Sequence, residues 1–273
     1  MDPFLFRADL DRKPEVLKKL AGNLNASNPW TATTIAATDR IVFIGMGSSH
    51  YANAIAAARL QALGINAVAT LASSDLLPKV DSTSVVIVVS ASGTSVETVH
   101  AAKHYSGTCR TIASTNVESS PIEDLCDINI PMQAGPELGG VACRSYQNTI
   151  ALLLSLQQHV APQSMGTSVS ELVRMSAQAC AEILKTSEQW LPAVSELLLG
   201  PTGTTFVAPA SRFCNAQQSA LMLREGPRIN AVGCETGDWS HVDVYLTKTT
   251  DYRMLLLPHS QWEPALIEWC ESR

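Results

Sequence analysis

Short apolar runs alternate with stretches of helical periodicity through the first half of the chain. The runs are rich in β-branched residues and are followed by turn residues. Continuous apolar runs of this kind are typical of strands buried on both faces of a parallel sheet. Five strands are predicted, at Ile41–Gly45, Ile65–Leu71, Ser84–Ser90, Arg110–Ala113 and Asp127–Met132, with helices at Tyr51–Leu63, Val96–Tyr105 and just after Pro121. This alternation predicts βαβ units with right-handed crossovers.

The second half predicts further helices and then a restart of the α/β pattern. Helical spacing of apolar residues predicts helices at Pro14–Leu24, Ser145–Val160, Val169–Leu184 and 190–198. After Gly200-Pro201, TFVAPAS pairs with IVFIGMGSS, and RMLLLPHSQ pairs with VVIVVSASGTS. We therefore predict a doubly wound parallel α/β fold with an internal repeat, the second copy being shortened to two strands.

The predicted organisation has four parts along the chain. They are an N-terminal helical segment (1–30), a first α/β subdomain (31–160), a helical connector (161–200) and the shortened second subdomain (201–273). A glycine at Gly64, just past the helix predicted to end at Leu63, is typical of a helix C-terminus.

Composition narrows the functional classes. The chain has 273 residues, a net charge of −6 and 16% charged residues, with no basic cluster interleaved with aromatics, so nucleic acid is not an expected partner. No apolar stretch is long enough to span a bilayer, and the first fifteen residues are too charged for a secretory signal. Seven cysteines without a C-x-x-C pair predict reduced thiols. We expect a soluble, cytoplasmic protein without metal or cofactor.

Candidate chemistry lies in two turns, each following a buried strand and opening a helix. They are Gly45-Met46-Gly47-Ser48-Ser49 and Ser90-Ala91-Ser92-Gly93-Thr94-Ser95. The carboxyl ends of parallel strands form the ligand crevice of such folds, and a helix N-terminus stabilises an anion. Serine hydroxyls add donors without charge, so the pair predicts a phosphate-binding site. Each serine alone is also what a simple helix N-cap requires.

The motifs GMGSS, SASGTS, TNVESSPIEDLCD and AGPELGGVA resemble, in order and spacing, the sugar isomerase (SIS) domain family. The resemblance covers nearly everything from Pro14 onward and is strongest to double-domain members, including the isomerase half of glucosamine-6-phosphate synthase. It implies a flavodoxin-like fold and a phosphorylated sugar as ligand. Its implied ligand-binding residues are Gly47, Ser48, Ser49, Ser90, Ser92 and Ser95, the backbone of Ala91 and Gly93, and Glu137 in a loop near the sugar. Arg144 is placed to reach an acidic substituent, or to form a surface ion pair.

The same resemblance places the catalytic groups in the second half. Glu225 matches the family's catalytic glutamate, and His241 matches the histidine that opens the sugar ring and comes from the neighbouring subunit, which implies a homodimer. Moving a carbonyl between C1 and C2 needs such a carboxylate, and ring opening needs a group that titrates near neutrality. The sequence departs from the family at Met222, where a lysine is usual, at His241-Val242-Asp243, where H-G-P is usual, and in ending at Arg273, before the tail that supplies a lysine.

Three functional hypotheses remain at this point. The first is an aldose–ketose isomerase or deaminase acting on a hexose or hexosamine phosphate. The second is a non-catalytic, regulatory sugar-phosphate binding module. The third, a dinucleotide-binding protein, fits poorly because GMGSSH lacks the third glycine of G-x-G-x-x-G and no acidic residue ends the second strand.

Overall fold

The structure, a computed structural model, describes residues 1–272. These form two compact units, Asp2–Leu184 and the residues from Lys185 onward together with Met1. The division falls inside the predicted connector, so its first helix belongs to the first unit and its second helix to the second unit. Both units are α/β, which confirms the predicted fold class.

The first unit is built on a five-stranded parallel sheet in the order β2-β1-β3-β4-β5. Its strands are β1 (Arg40–Gly45), β2 (Ala67–Leu71), β3 (Ser84–Val89), β4 (Arg110–Thr115) and β5 (Ile128–Pro131). Its helices are α1 (Pro3–Asp11), α2 (Lys13–Ala26), α3 (Gly47–Ala62), α4 (Val96–Tyr105), α5 (Pro121–Leu125), α6 (Arg144–Val160) and α7 (Val169–Lys185). All six residues of β3 are buried, as its β-branched run predicts.

Helices cover both faces of this sheet. On one face, α2, α3, α6 and α7 pack against inward residues of β1 and β3, including Phe43 and Ile87. On the other face, α4 and α5 pack against the alternate residues, including Ile44 and Val88. From β1 the chain turns to β2 on one side and then crosses back to β3 on the other. The crevice between β1 and β3 is therefore the switch point at which doubly wound folds bind ligands.

The second unit repeats the centre of the first. Its parallel sheet has the order β7-β6-β8, with β6 (Thr204–Ala208), β7 (Ala231–Glu235) and β8 (Met254–Leu256). Its helices are α8 (Ser187–Leu198), α9 (Phe213–Glu225), α10 (Thr236–Trp239) and α11 (Glu263–Glu271). The order β7-β6-β8 reproduces β2-β1-β3, so β6 and β8 occupy the places of β1 and β3, as the paired sequences predict.

The elements absent from the sequence-based prediction include one strand and one N-terminal helix. The second sheet has three strands, not two: β7 was missed because it is a five-residue edge strand that contains Gly233 and exposes Val232. Helix α1 was missed because its apolar residues form no clear stripe, and Phe4 is 86% exposed. It begins at a well-formed cap, since the Asp2 carboxylate accepts hydrogen bonds from the backbone N–H groups of Phe4 and Leu5.

Gly64 follows the C-terminus of α3 at a φ of +79°, in the left-handed conformation that the prediction requires.

All seven cysteines are free thiols. Within residues 1–272, none of the helices combines the length and the apolar character needed to cross a membrane.

Candidate functional site

The two serine-containing turns start side by side at the switch point. Ile44 of β1 pairs with Val88 of β3, so both strands end at the same level of the sheet. A Cβ on Gly45 would lie 3.1 Å from the carbonyl oxygen of Val89, the residue before the second turn. A side chain at position 45 would therefore crowd the place where the two strands end.

The serines of the first turn are not used as helix caps. The N-cap of α3 is Met46, whose carbonyl oxygen accepts hydrogen bonds from the N–H groups of Ser49 (3.0 Å) and His50 (3.3 Å). The side chains of Ser48 and Ser49 are half-exposed and form no hydrogen bond with the described part of the chain. Gly47 opens the helix at a φ of +48°. Both hydroxyl groups are thus free for a ligand.

The second turn holds its own shape through hydrogen bonds. The N–H group of Gly93 donates to the carbonyl oxygen (3.2 Å) and to Oγ (3.1 Å) of Ser90. Ser92 Oγ accepts from the N–H group of Thr94 (3.3 Å) and from its hydroxyl (3.0 Å). Ser95 is the N-cap residue of α4, but its side chain accepts no hydrogen bond from the backbone N–H groups of that helix. Its hydroxyl instead forms a hydrogen bond with Thr98 Oγ1 at 2.5 Å. The N–H group of Gly93, expected to bind phosphate, is therefore engaged within the turn.

The carbonyl groups of this turn are tied to the segment after β4. The carbonyl oxygen of Ala91 accepts hydrogen bonds from Asn116 N–H (3.1 Å) and Thr115 Oγ1 (3.3 Å), and that of Gly93 accepts from Ile122 N–H (3.3 Å). Because a trans peptide unit points its C=O and N–H in opposite directions, the N–H group of Ser92 faces away from that segment.

Three backbone donors of the second turn remain available. The N–H groups of Ala91, Ser92 and Ser95 have no hydrogen-bond partner within residues 1–272. Together with the first N–H groups of α3 and α4 and the serine hydroxyls, they form a cluster of uncharged donors at the positive ends of two helices. This arrangement suits an anion with several acceptor oxygens, such as a phosphate group.

Gly93 is the position at which this turn tolerates no side chain. Its φ is +66°, and a Cβ there would lie 2.3 Å from Ser120 Oγ and 3.0 Å from Thr115 Oγ1. Gly107 has a similar φ of +73° but no atom within 4 Å of the corresponding point. Comparing the two positions separates the cost of the backbone conformation from the cost of the close contact.

We expect Gly93→Ala to destabilise the protein by about 2–5 kcal/mol, since backbone strain of about 1–2 kcal/mol adds to an overpacking cost of about 1–3 kcal/mol. Gly107→Ala should cost only the strain, about 1–2 kcal/mol. Chemical denaturation of both variants gives the two values. Equal losses of stability would show that Ser120 does not confine the turn.

Asn116 was not singled out from the sequence, although it belongs to the TNVESS motif. Its side-chain amide donates to the carbonyl oxygen of Gly135 (2.7 Å), and its side-chain oxygen accepts from Ala134 N–H (2.9 Å). Asn116 thereby fixes the start of the AGPELGG loop beside the second turn.

Glu137 lies in that loop and caps α6. Its carboxylate accepts hydrogen bonds from the N–H groups of Cys143 (2.8 Å), Arg144 (2.6 Å) and Ser145 (3.3 Å). A carboxylate at this position stabilises a helix N-terminus. The role of Glu137 as a sugar ligand stays a prediction.

Arg144 forms a buried ion pair, not the surface ion pair that was one of the two expectations. Its side chain has 0% exposure, and its Nη2 lies 2.7 Å from Asp9 Oδ1 of α1. The other oxygen of Asp9 accepts a hydrogen bond from Gly139 N–H at 2.7 Å, and Arg144 Nη2 also donates to the carbonyl oxygen of Pro136. A buried ion pair therefore ties the N-terminal helix to the AGPELGG loop.

The predicted catalytic residues both lie in the second unit, at opposite ends of its parallel strands. Helix α9 returns antiparallel to β6 and ends at Glu225, which places this residue at the amino edge. His241 follows α10, beyond the carboxyl end of β7, and is exposed. Helix α9 has 13 residues and is about 20 Å long. Because of this separation, the second unit does not bring Glu225 and His241 of the same chain together.

Glu225 is exposed, but desolvation by the surrounding residues raises the pKa of its carboxyl above its ordinary value, and the neighbouring Arg224 partly offsets this. Asp243, two residues after His241, accepts a hydrogen bond from the buried Cys234 thiol at 2.6 Å. Within residues 1–272 no group of three His, Cys, Asp or Glu side chains is arranged to hold a metal ion.

Sheet order and two donor-rich turns at the switch point define a doubly wound α/β binding domain. More specifically, residues 34–158 match the family profile of the SIS domain. The resemblance stated from GMGSS, SASGTS and the two later motifs is confirmed.

Similar proteins cover residues of both units. The glutamine–fructose-6-phosphate aminotransferase (isomerizing) of Aeropyrum pernix is 26% identical over 227 residues, which is 80% of this chain but 37% of that protein. Among solved structures, glucosamine-6-phosphate deaminase of Thermotoga maritima has a TM-score of 0.80 at 20% identity, covering 98% of this chain and 82% of that one. The C-terminal domain of the Francisella tularensis glucosamine-fructose-6-phosphate aminotransferase has a TM-score of 0.79 at 16% identity, covering 98% and 79%. These structural likenesses establish the shared fold.

Proposed function

We propose that this protein binds a phosphorylated hexose or hexosamine and acts on it as an aldose–ketose isomerase or deaminase. The observation that carries the proposal is the pair of turns at the switch point of a SIS domain, where the hydroxyls of Ser48 and Ser49 and three backbone N–H groups of the Ser90–Ser95 turn are unpaired. The similar proteins, an isomerizing glutamine–fructose-6-phosphate aminotransferase and a glucosamine-6-phosphate deaminase, support the same substrate class.

The proposed phosphate site relies on hydrogen-bond donors and helix ends instead of charged side chains. Such a site fits a protein with a net charge of −6, because the binding does not depend on a broad positive field. Hydrogen bonds to an ionised phosphate are stronger than neutral ones, so several short N–H and O–H contacts supply substantial affinity.

In the proposed mechanism Glu225 moves a proton between C1 and C2 through an enediol, and His241 assists ring opening. A raised pKa suits Glu225 to this work, since a general base is most effective when its pKa approaches the working pH. Since Glu225 and His241 lie at opposite ends of the parallel strands of the second sheet, we propose that His241 serves the site of a partner subunit in a homodimer. The seven free thiols support a reducing compartment such as the cytoplasm.

A second candidate is a sugar-phosphate binding protein without catalysis. Met222 stands where a lysine is usual in the family, and Val242-Asp243 replaces Gly-Pro after the histidine. Asp243 is also engaged within the second unit, because it accepts a hydrogen bond from the buried Cys234 thiol. Binding without turnover would favour this candidate.

A thermal-shift panel tests phosphate recognition. Because a ligand at 100 times its Kd stabilises the native state by about 2.7 kcal/mol, fructose 6-phosphate or glucosamine 6-phosphate should raise the Tm, whereas fructose and glucosamine should not. Ser92→Leu should abolish the rise and lower the Tm of the ligand-free protein only slightly, since Ser92 is exposed and the two hydrogen bonds that its hydroxyl loses go to the exposed Thr94. Ser82→Leu, at another exposed serine, is the matched control and should keep it. No response of the native protein to any sugar phosphate would contradict the proposed function.

A further inference from the structure

Asn53 is a fully buried asparagine whose side chain has no hydrogen-bond partner. It lies in α3 with 0% exposure, and the other buried residues of that helix are all apolar, namely Ala52, Ala56, Ala57 and Leu60. Neither its amide nitrogen nor its side-chain oxygen is paired within residues 1–272. Buried polar groups in native proteins are nearly always paired, so an unpaired amide in an apolar environment calls for a specific reason.

The position of Asn53 relates it to the ligand crevice. The point that a Cβ on Gly45 would occupy lies 2.8 Å from Asn53 Nδ2, 3.0 Å from Ser49 Cβ and 3.1 Å from the Val89 carbonyl oxygen. Asn53 therefore lies directly beneath the place where the two turns leave β1 and β3. Ser49 and Asn53 are four residues apart in α3, a spacing that places their side chains on one face of a helix.

Unpaired buried atoms of the first unit share one location. Within the described residues of that unit, they all belong to the first two turns of α3 and α6 or to the segment after β4, namely His50, Asn53, Ser120, Arg144, Ser145, Gln147 and Asn148. These segments all adjoin the carboxyl edge of the sheet. The polar groups that folding leaves unpaired thus surround the candidate site, and Asn53 is the one that lies beneath both turns.

We propose that Asn53 is a positioning residue for Ser49. In the ligand-bound state the Asn53 amide donates a hydrogen bond to Ser49 Oγ, while the Ser49 hydroxyl donates its hydrogen to an oxygen of the bound sugar phosphate. The Ser49 hydroxyl is unpaired in the structure, and the four-residue spacing in α3 allows one of its staggered rotamers to point toward the residue one turn along the helix. A hydroxyl that donates to an anion becomes a stronger acceptor, so the two bonds reinforce each other. This inference rests on the proposed sugar-phosphate binding.

A positioning role and a purely structural role predict different results. If the amide served only the fold, its removal would destabilise the ligand-free protein and leave affinity unchanged. Because the amide is unpaired, we expect Asn53→Ala to leave the Tm unchanged or raise it, and to weaken binding of the sugar phosphate. Asn148 is the matched control: it also has 0% exposure, but its amide donates to the Met132 carbonyl oxygen at 2.8 Å. Asn148→Ala should lower the Tm by about 2 °C or more.

The experiment is a double-mutant cycle on Ser49 and Asn53. Calorimetric titration with fructose 6-phosphate and glucosamine 6-phosphate is carried out on the wild type, Asn53→Ala, Ser49→Ala and the double variant. The loss of one neutral hydrogen bond weakens binding about 3- to 10-fold. If Asn53 acts through Ser49, Asn53→Ala should have this effect in the wild type and little effect in Ser49→Ala.

Two outcomes would overturn the inference, and they are distinct. If the wild type binds a sugar phosphate and Asn53→Ala binds it equally well, or if the effects of the two substitutions add, Asn53 does not position Ser49 and the proposed function stands. If the wild type binds no sugar phosphate, the proposed function fails and the inference fails with it.

Discussion

Replacing Glu225 with glutamine should lower the rate of proton exchange at C1 or C2 of the substrate by about 10²–10⁴-fold, the usual contribution of a positioned general base. Glutamine keeps the shape of the side chain but cannot accept the proton. Incubation with fructose 6-phosphate or glucosamine 6-phosphate in deuterated water, followed by NMR of the sugar, measures the exchange. The affinity for the sugar phosphate should barely change, because the variant removes no group of the two serine-containing turns.

Glu188→Gln is the matched control, since Glu188 is an exposed carboxylate in α8 of the same unit. It should exchange protons at the wild-type rate. The active form of Glu225 is the carboxylate and its pKa is raised above 4.5, so the exchange rate should rise with pH through that higher pKa. A wild type that binds sugar phosphates but exchanges no protons would leave non-catalytic binding as the function.

The same proton-exchange measurement also tests whether His241 comes from the partner subunit. Glu225→Gln and His241→Ala should each be inactive, but random mixing of their subunits in a two-fold dimer gives heterodimers that contain one intact site. An equal mixture should therefore recover about a quarter of the wild-type activity. No recovery, with heterodimers demonstrated by mass spectrometry, would place His241 in the site of its own chain.

Strong local patterns made the first sheet predictable. β3 is a continuous β-branched run that the structure buries at every residue, and the Val96–Tyr105 helix was predicted with its observed ends. The two serine-containing turns follow directly from strand order, because parallel strands deliver their ends to one edge. The internal repeat was visible because β6 and β8, like β1 and β3, are short apolar runs that each lead into a turn and then a helix.

Other features depend on partners that are distant in sequence. Nothing near Asn116 shows that its amide fixes the AGPELGG loop, since that hydrogen bond joins residues 19 positions apart. The sequence likewise gives no reason for Glu137 to cap α6 instead of facing a sugar. Arg144 is the clearest case: its partner Asp9 is 135 residues away, in a helix that hydrophobic periodicity did not predict. Long-range pairing, unlike strand order, leaves no periodic signal.

The ion pair between Asp9 and Arg144 leads to the largest expected change in stability. Both side chains are almost fully buried, and the Asp9 carboxylate also accepts the Gly139 N–H group. Removing one member leaves a buried, unpaired charge, so Asp9→Ala should lower the free energy of unfolding by about 3–5 kcal/mol. Hydrogen–deuterium exchange of peptides from β1 and β3 reports on the first unit alone and measures the loss.

Two further variants show whether Asp9→Ala loses stability because the ion pair is buried. Asp11→Ala breaks the Arg7–Asp11 pair of the same helix at 2.8 Å, but those side chains are 54% and 50% exposed, so the cost should stay below about 0.5 kcal/mol. Replacing both buried partners with apolar residues, Asp9→Leu with Arg144→Met, should recover most of the lost stability, because no unpaired charge remains. If Asp9→Ala costs no more than Asp11→Ala, the ion pair does not hold α1 on the AGPELGG loop. If the double variant is as unstable as Asp9→Ala, the hydrogen bonds to Gly139 and Pro136 provide the stability and the charges do not.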